Sequence, residues 1–406
     1  MHSVRVSRPG GDRIPHASRP ARGRAHPHAF GTSPEYTVGV EEEFMVLDAD
    51  TLGLTPRADE IIDAAGDENI KQEIRQSMVE ISSKTATTIR DLHRDLHDLR
   101  LRATTLAYER GLRVAAAGTH PFSPAETQDL TDKPRYRYVA GISGWVGRRA
   151  TAVFGTHVHV ALGSPEKALG VVEAMLNDLP TLVALSASSP LWEGQDTGFA
   201  SARLAVRAEL PRTGLPPSFD SLAHYRSTLE SLRTSGLVPD ASYLWWDVRL
   251  QDRLGTIEVR LLDAQPSLHD TVALAGLVQA LVRHHGARWD AGIRPAADRM
   301  ITDENRWQAL RHGMSATFAS PRGRATTARE AVDELLGRVA DEAGASGSRW
   351  ALDHLADLAA RGGRATDLRD RFLLSDDPRA VTRHLVHLGE RDLITPIDLD
   401  SELVSG

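Results

Sequence analysis

Three short stretches of the chain carry charged or imidazole side chains at every second residue. The pairs are Glu41 with Glu43, His157 with His159, and Glu258 with Arg260. Side chains alternate between the two faces of a β-strand, so we expect the members of each pair to share a face, while Val, Ile, Leu and Phe occupy the opposite one. If the three strands lie in one sheet, its polar face gathers carboxylates, imidazoles and a guanidinium. Divalent cations and phosphate oxygens bind to that mixture.

Two further acids, Glu73 and Glu80, extend this set. Glu80 lies between Val79 and Ile81 in a strand-like segment and points away from both. Each group also has a plainer interpretation. The acid pair fits a solvated edge strand, the Glu258–Arg260 pair fits a salt bridge, and the His-x-His segment fits ordinary hydrogen bonding.

Arginines supply the other candidate ligand-binding groups. Arg203 and Arg207 are one helical turn apart and could clamp a carboxylate, and Arg249 follows a Trp-Trp-Asp segment. Pairing with surface acids is the alternative. The sequence contains no Walker-type loop, Rossmann fingerprint or Gly-x-Ser-x-Gly elbow. A bound ATP would therefore have to be held by metals and arginines.

Composition narrows the function classes. The 406-residue chain has no cysteine, which excludes disulfides, a thiolate nucleophile and cysteine-ligated zinc, and fits a cytoplasmic protein. A net charge of −7 gives no support for nucleic-acid binding. No apolar run approaches the roughly 20 residues of a membrane span. We expect small-molecule partners, and a homo-oligomer stays open.

The chain divides into three parts by pattern. Residues 1–34 hold six Arg and four His with one acid, Asp12, and we expect a disordered tail there, with a transit peptide as the alternative. Residues 35–320 mix strands with long helical inserts, which favours an α+β fold with an antiparallel sheet. Residues 321–406 are expected to form a helical C-terminal region packed on the catalytic domain of residues 35–320.

Several local elements can also be predicted. Thr87 or Thr88 should cap a helix, and residues 165–188 should form a helix kinked at Pro180. A further apolar helix is expected over residues 268–285. Residues 136–145 are expected to form a loop rich in Gly and Arg.

Taken jointly, the motifs resemble the carboxylate–amine ligase family, which is the type-2 glutamate–cysteine ligase family and is related in fold to glutamine synthetase. The resemblance runs from about residue 38 to about residue 318. The matching segments are GVEEEF at 39–44, GTHVHV at 155–160, NDLP at 177–180, LSASSP at 185–190, DTG at 196–198, LPRTG at 210–214, TIEVR at 256–260 and ENRW at 304–307. Residues 249–255 depart from the family pattern because they lack the prolines usual there.

The resemblance implies a saddle-shaped, mainly antiparallel sheet with the active site on its concave polar face and helices packed on the other. It implies ATP-dependent amide-bond formation with magnesium, or manganese in its place. Arg260 falls where an arginine meets nucleotide phosphate, and Arg260 and Glu41 are the predicted catalytic residues. The predicted metal ligands are Glu41, Glu43, Glu73, Glu80, His157 and Glu258.

The implied chemistry activates a carboxylate through an acyl phosphate, which an amine then attacks. The family's pair of substrates is glutamate and cysteine. Arg203, Arg207 and Arg249 are candidates for binding nucleotide phosphate or a substrate carboxylate. Two alternatives stay open: a metal-dependent hydrolase built on the His-x-His strand, and a magnesium–nucleotide binder without turnover.

Overall fold

A seven-stranded antiparallel sheet forms the centre of the computed structural model, which describes residues 28–394. The strands are β1 (Val38–Asp48), β2 (Ile70–Gln72), β3 (Met78–Ser82), β4 (Leu112–Ala115), β5 (Gly155–Ala161), β10 (Val248–Gln251) and β11 (Thr256–Asp263). Six strands follow one another in the order β10-β11-β5-β1-β3-β2, and β4 pairs with the C-terminal end of β1. The predicted α+β class with an antiparallel sheet is confirmed.

Short two-stranded pairings lie outside this sheet. They are β6 (Leu191–Trp192) with β7 (Gln195–Asp196), β8 (Thr213–Gly214) with β9 (Trp245–Trp246), and β12 (Thr317–Ala319) with β13 (Ala325–Thr327). The β8–β9 pair is parallel, and the other two are antiparallel.

The helices up to residue 312 connect these strands. They are α1 (Ala58–Ala65), α2 (Ile89–Tyr108), α3 (Pro134–Ile142), α4 (Gly144–Ala150), α5 (Pro165–Met175), α6 (Leu179–Ser186), α7 (Ala202–Arg207), α8 (Leu222–Thr234), α9 (Leu268–Asp290) and α10 (Arg299–His312). Thr88 caps α2 by accepting from the Asp91 N–H, as predicted. The expected kinked helix is two helices, α5 and α6, because Pro180 at the start of α6 cannot continue α5. Residues 136–145, expected as a loop, lie in α3 and α4.

Helices cover the apolar face of the sheet. Glu42 interrupts that face in the sequence, and the structure pairs it with a buried arginine of α2. Arg100 donates to both Glu42 carboxylate oxygens, and the Thr271 hydroxyl of α9 donates to one of them at 2.6 Å. These buried, mutually hydrogen-bonded charges join α2 and α9 to the sheet. Glu42 lies between Glu41 and Glu43 on β1, so its side chain is on the face opposite to theirs.

The C-terminal region is helical up to residue 394 and shares one hydrophobic core with the sheet and α9. Its helices are α11 (Ala328–Arg338), α12 (Ala340–Ala345), α13 (Arg349–Ala360), α14 (Gly363–Ser375) and α15 (Pro378–Ile394). The fully buried Asp270 of α9 accepts from Arg364 at 2.6 Å and lies 2.8 Å from His354. Burial raises the pKa of Asp270, but the charges of Arg364 and His354 lower it to about 2.

The boundary of the predicted tail needs a correction. Residues 1–27 lie outside the described residues, but residues 28–34 pack on the sheet. Phe30 is buried, the Ala29 N–H donates to the Asp252 carbonyl at 2.8 Å, and the Gly31 N–H donates to the Leu162 carbonyl. These contacts contradict a disordered segment that extends to residue 34.

A helix that spans a membrane must be both long enough and apolar enough to cross the hydrocarbon layer. Between residues 28 and 394, no single helix meets both requirements. The bent pair α5 and α6 meets them together, by length and composition alone.

Candidate active site

Strand register brings the sequence-distant acids and imidazoles together on one face. Glu41 lies opposite His157 across β1 and β5, and His159 lies opposite Glu258 across β5 and β11. On the other side of β1, Glu43 lies opposite Glu80. Neighbouring strands are about 5 Å apart, so these pairs bring their side chains into contact range. The prediction that the polar groups share one face of one sheet is confirmed.

One group of possible metal ligands consists of Glu41, His159 and Glu258. One ligand atom from each lies within 4.8 Å of the others. His159 Nδ1 is 3.1 Å from the Thr256 hydroxyl, and its buried Nε2 has no hydrogen-bond partner among the described residues. A histidine fixed through Nδ1 with Nε2 free is the usual arrangement of a metal ligand.

His157 contributes a second imidazole to the same place. Its Nδ1 is 3.3 Å from the Glu41 carboxylate, and its Nε2 is also buried without a partner in the described part of the chain. Burial, followed by the charge of Arg260, lowers the pKa of His157 to about 4, so the ring is neutral at pH 7. The family resemblance implies His157 as a ligand and does not include His159, whereas the His-x-His pattern by itself did not choose between them. Their shared face was a signal for both residues, but spacing alone did not show which one faces Glu258.

A second group of possible ligands consists of Glu43, Glu73 and Glu80, again with one atom each within 4.8 Å. Glu73 follows β2 and reaches the group from the side. The Tyr136 hydroxyl of α3 donates to Glu73 at 2.6 Å, and the Gly155 N–H donates to Glu43 at 2.5 Å. Three of the six predicted metal ligands are therefore brought together.

The three carboxylates of the second group repel one another, because too little positive charge lies beside them. Burial, with the charge of Glu43, raises the pKa of Glu73 to about 7. Burial, with the charges of Glu41 and Glu73, raises the pKa of Glu80 to about 8. The ammonium of Lys71 lies 2.9 Å from Glu80 and offsets part of this repulsion, although its side chain is half exposed. A carboxylate cluster of this kind favours the binding of a divalent cation.

Two arginines flank Glu258 and differ in how their donors are used. Arg249 donates to Glu258 at 2.7 and 3.2 Å, and its remaining nitrogen donates to backbone carbonyls, among them Leu244 at 2.6 Å. Arg260 donates to Glu258 through one nitrogen, while its buried Nε has no partner among the described residues. Burial raises the pKa of Glu258, but these two guanidiniums hold it well below its ordinary value. Arg260 thus retains a free donor beside the first ligand group, whereas Arg249 is committed to the fold.

Arg260 owes its position to an irregularity in the sheet. The β5–β11 register shifts between Val259 and Leu262, and the Arg260 N–H donates to the Asp247 carbonyl at 2.7 Å instead of to β5. A bulge of this kind redirects a side chain relative to its neighbours on the strand.

The two arginines of α7 have different environments. Arg203 is fully buried, donates to the carbonyls of Leu261 and Arg260 at 3.1 Å each, and lies 3.7 Å from Asp263. Its guanidinium occupies the space above Gly155, where a Cβ would lie 2.1 Å from a nitrogen. The expectation that Arg203 binds a ligand is corrected, because these contacts commit its buried guanidinium to β11 and to the space over Gly155.

Arg207 remains available to a ligand. Its guanidinium makes no hydrogen bond or ion pair within the described residues. Burial, followed by the charges of Arg203 and Arg260, lowers its pKa to about 9. An unpaired guanidinium among other positive charges favours an anionic ligand.

Comparison with known proteins gives a family and close relatives. The model of glutamate-cysteine ligase family 2 matches residues 37–384. A Rubrobacter xylanophilus protein, provisionally named glutamate–cysteine ligase 2-3, is 41% identical over 352 residues, which are 85% of this chain and 94% of that protein. A Jannaschia protein, provisionally named glutamate–cysteine ligase 2, is 36% identical over 334 residues, which are 80% of this chain and 87% of that protein.

Solved structures share the fold at low identity. A glutamate–cysteine ligase of Francisella tularensis in complex with AMP superposes with a TM-score of 0.67 at 11% identity, covering 90% of both chains. A bifunctional glutathione synthetase from Pasteurella multocida superposes with a TM-score of 0.66 at 16% identity. That match covers 88% of this chain, which spans about half (52%) of the synthetase.

Proposed function

Because this chain belongs to glutamate-cysteine ligase family 2, we propose that it is an ATP-dependent carboxylate–amine ligase. It joins the carboxylate of one small molecule to the amine of another through an acyl phosphate. Glutamate and cysteine, the pair in the names of its relatives, are the proposed substrates.

The observation that carries this proposal is the pair of ligand groups beside Arg260. One group offers two carboxylates and an imidazole, and the other offers three carboxylates. Hard divalent cations such as magnesium prefer oxygen donors, and imidazole is acceptable as a minority ligand. The partnerless Nε2 atoms of His157 and His159 and the raised pKa values of Glu73 and Glu80 fit bound cations.

Magnesium ions held by these residues would neutralise charge on the phosphoryl group as it moves. The protein's own contribution begins with Arg260. Its free N–H lies next to Glu258, where it can donate to a phosphoryl oxygen as negative charge develops. Glu258 and the sheet bulge hold this guanidinium in place, so little reorganisation is needed during the reaction.

The reaction balances in two steps. A carboxylate oxygen of the first substrate attacks the γ-phosphorus of ATP, and the bond to the β-phosphate oxygen breaks, giving an acyl phosphate and ADP. The neutral amine nitrogen then attacks the acyl carbon, the carbon–oxygen bond to phosphate breaks, and the amine proton ends on the departing phosphate. The products are an amide, ADP and phosphate.

Arg207 is proposed to bind the first substrate. It is the arginine of α7 without a hydrogen bond or ion pair among the described residues, and its neighbours include Arg260 and Glu43. A substrate carboxylate bound to Arg207 would stay near the phosphoryl group without occupying Arg260. The α3 segment, joined to Glu73 through Tyr136, lies beside the same acids.

The test follows phosphate release by the full-length protein with ATP and magnesium. We expect release to require both glutamate and cysteine. With glutamate labelled by 18O in its side-chain carboxylate, one labelled oxygen should appear in the phosphate, since that oxygen bridges carbon and phosphorus in the intermediate. Phosphate release that needs no amine, or unlabelled phosphate, would overturn this mechanism.

The same assay separates the alternatives. A magnesium–nucleotide binder would bind ATP without releasing phosphate under any of these conditions. A metal-dependent hydrolase would cleave an amide or ester without consuming ATP.

A further inference from the structure

A buried ion pair lies close to the strand that carries Arg260. Arg306 of α10 donates to both carboxylate oxygens of Asp247, to one of them at 3.2 Å. Asp247 is 4% exposed and Arg306 is 7% exposed. Neither residue belongs to the two ligand groups. Because both charges are shielded from water, each depends on the other for its compensation.

The main chain of Asp247 is also engaged on both sides. Its carbonyl accepts from the Arg260 N–H at 2.7 Å, and its N–H donates to the Gly214 carbonyl at 2.9 Å. The side chain and both main-chain groups of Asp247 are therefore held at once, by α10, β11 and β8. A network that satisfies the polar groups of a buried residue in this way gives that residue one fixed position.

Arg260 depends on this support because the sheet bulge removes another. The register between β5 and β11 shifts between Val259 and Leu262, so two residues of β11 lie opposite one residue of β5. Bulged residues lose the regular ladder hydrogen bonds of their strand. Instead, the Arg260 N–H is held by Asp247, and the Arg260 carbonyl accepts from the Arg203 guanidinium at 3.1 Å.

The direction of the Arg260 side chain follows from its main chain. One guanidinium nitrogen donates to Glu258, and the buried Nε has no partner among the described residues. A donor that acts on developing charge has to be aimed before the reaction starts. An error of about 1 Å in such a position can reduce the rate roughly 10²-fold. Small movements of the bulge would therefore affect the chemistry.

We infer that Arg306 and Asp247 are positioning residues for Arg260. The ion pair fixes Asp247, the Asp247 carbonyl fixes the bulge, and the bulge aims the Arg260 guanidinium at the phosphoryl group. This inference rests on the proposed function for the role of Arg260. It also gives a common role to three segments that are far apart in the sequence, residues 210–214, 256–260 and 304–307, which meet at Asp247.

The first test is Arg306→Lys, which keeps the charge and loses the fork of donors. Turnover per folded molecule should fall roughly 10- to 100-fold, while the KM for ATP should change much less, because the metal ligands are untouched. Arg364→Lys is the matched control, since Arg364 also donates twice to a buried acid, Asp270 of α9. The control should lower the melting temperature and keep the turnover of the wild type. Unchanged turnover in Arg306→Lys, or an equal loss in the control, would overturn the positioning role.

A double variant tests whether Arg306 acts through Arg260. The comparison uses turnover at saturating ATP, glutamate and cysteine. If Arg306 acts through Arg260, Arg306→Lys should cause little further loss of turnover in a chain that already carries Arg260→Lys. Two losses that multiply would show that Arg306 acts independently of Arg260 and would overturn the inference.

Hydrogen exchange tests the same contact without any substrate. Peptides of the full-length chain that contain the Arg260 N–H are followed by mass spectrometry. Exchange at this position should be roughly ten-fold faster in Arg306→Lys than in the wild type, the effect of weakening one hydrogen bond, and unchanged in Arg364→Lys. If Arg306→Lys does not fold, Asp247→Asn takes its place, because asparagine removes the charge and keeps the main-chain groups and the size of the side chain.

These measurements separate the failure of this inference from the failure of the proposed function. Unchanged exchange at Arg260 would overturn the positioning role, even if the wild type joins two amino acids at the expense of ATP. Faster exchange with unchanged turnover would overturn it as well. Faster exchange confined to Arg306→Lys would support the hold on the bulge, even if no condensation product forms.

Discussion

Arg260 and Arg249 form a natural pair for separating catalysis from stability. Both donate to Glu258, both are largely buried, and both keep their charge when replaced by lysine. They differ in the remaining donors, since Arg249 uses its third nitrogen on backbone carbonyls and Arg260 keeps Nε free. The two lysine substitutions should therefore have different consequences.

For Arg260→Lys, the expected loss is in turnover. Lysine can still pair with Glu258 but cannot at the same time direct a second N–H at a phosphoryl oxygen. Loss of one donor to a developing negative charge costs about 2.7–4 kcal/mol, which corresponds to a rate reduction of roughly 10²- to 10³-fold. Apparent ATP affinity should change much less, because the metal ligands are untouched. Melting temperature should fall little, since the charge opposite Glu258 remains.

For Arg249→Lys, the main expected loss is in stability, and the loss of turnover should be smaller. The Leu244, Ser242 and Ala241 carbonyls lose their donor, at about 1–3 kcal/mol for buried groups left unpaired, so the melting temperature should fall. Turnover per folded molecule should fall less than in Arg260→Lys. The assay is steady-state phosphate release against ATP concentration, with thermal unfolding of each variant. An unchanged maximal rate and unchanged ATP dependence in Arg260→Lys would remove Arg260 from the mechanism.

Three further predictions follow from the metal groups, the N-terminal segment and the C-terminal helices. Glu41→Gln should abolish ATP turnover and weaken manganese binding, because it removes one of the two carboxylates of the first ligand group; near-normal turnover at saturating magnesium would contradict its role as a ligand. A chain starting at residue 35 should be less stable than one starting at residue 28 by about 1.5–3 kcal/mol, because it lacks the buried Phe30 ring. Equal melting temperatures of the two chains would show that this segment contributes nothing to stability. Asp270 has a folded pKa of about 2, below its unfolded value near 4, so its contribution of about 2.5 kcal/mol is present above pH 4 and is lost as the pH falls to 2. In urea titrations between pH 5 and pH 2, Asp270→Asn should therefore lose less stability than the wild type, and parallel pH dependence would refute this assignment.

Much of the site could be predicted because strand geometry has a period of two. The alternation of polar and apolar residues along β1, β5 and β11 is enough to place Glu41, Glu43, His157 and Glu258 on one face. The alternation of side chains does not give the register between neighbouring strands. The register depends on which strands pair, and it placed His159 opposite Glu258.

The arginines show a second limit. Arg203 and Arg207 are one turn apart on α7, so helical geometry alone gives them the same direction. Packing against β11 separates them, because Gly155 leaves space for the Arg203 guanidinium and the Arg207 guanidinium stays unpaired. Short-range spacing carries no information about that packing.

Elements without a clear apolar period were the least predictable. The segment that forms α3 and α4 contains Gly141, Gly144 and Gly147 among Tyr and Arg residues, and such a composition indicates a loop. Helix α8, in contrast, did carry a signal. Ser221 caps it, and Leu222, Tyr225, Leu229 and Leu232 recur at helical spacing.

On the proposed function, the polar face of the sheet supports ATP-driven amide-bond formation. The most direct measurement incubates the full-length protein with ATP, magnesium, glutamate and cysteine, and quantifies ADP and the condensed dipeptide by mass spectrometry. We predict equal amounts of ADP and dipeptide, with neither formed when magnesium or either amino acid is omitted. If glutamate and cysteine do not react, a pooled set of amino acids and amines should give an ADP-matched product. ADP formed without any condensed product, across the whole pool, would contradict the account.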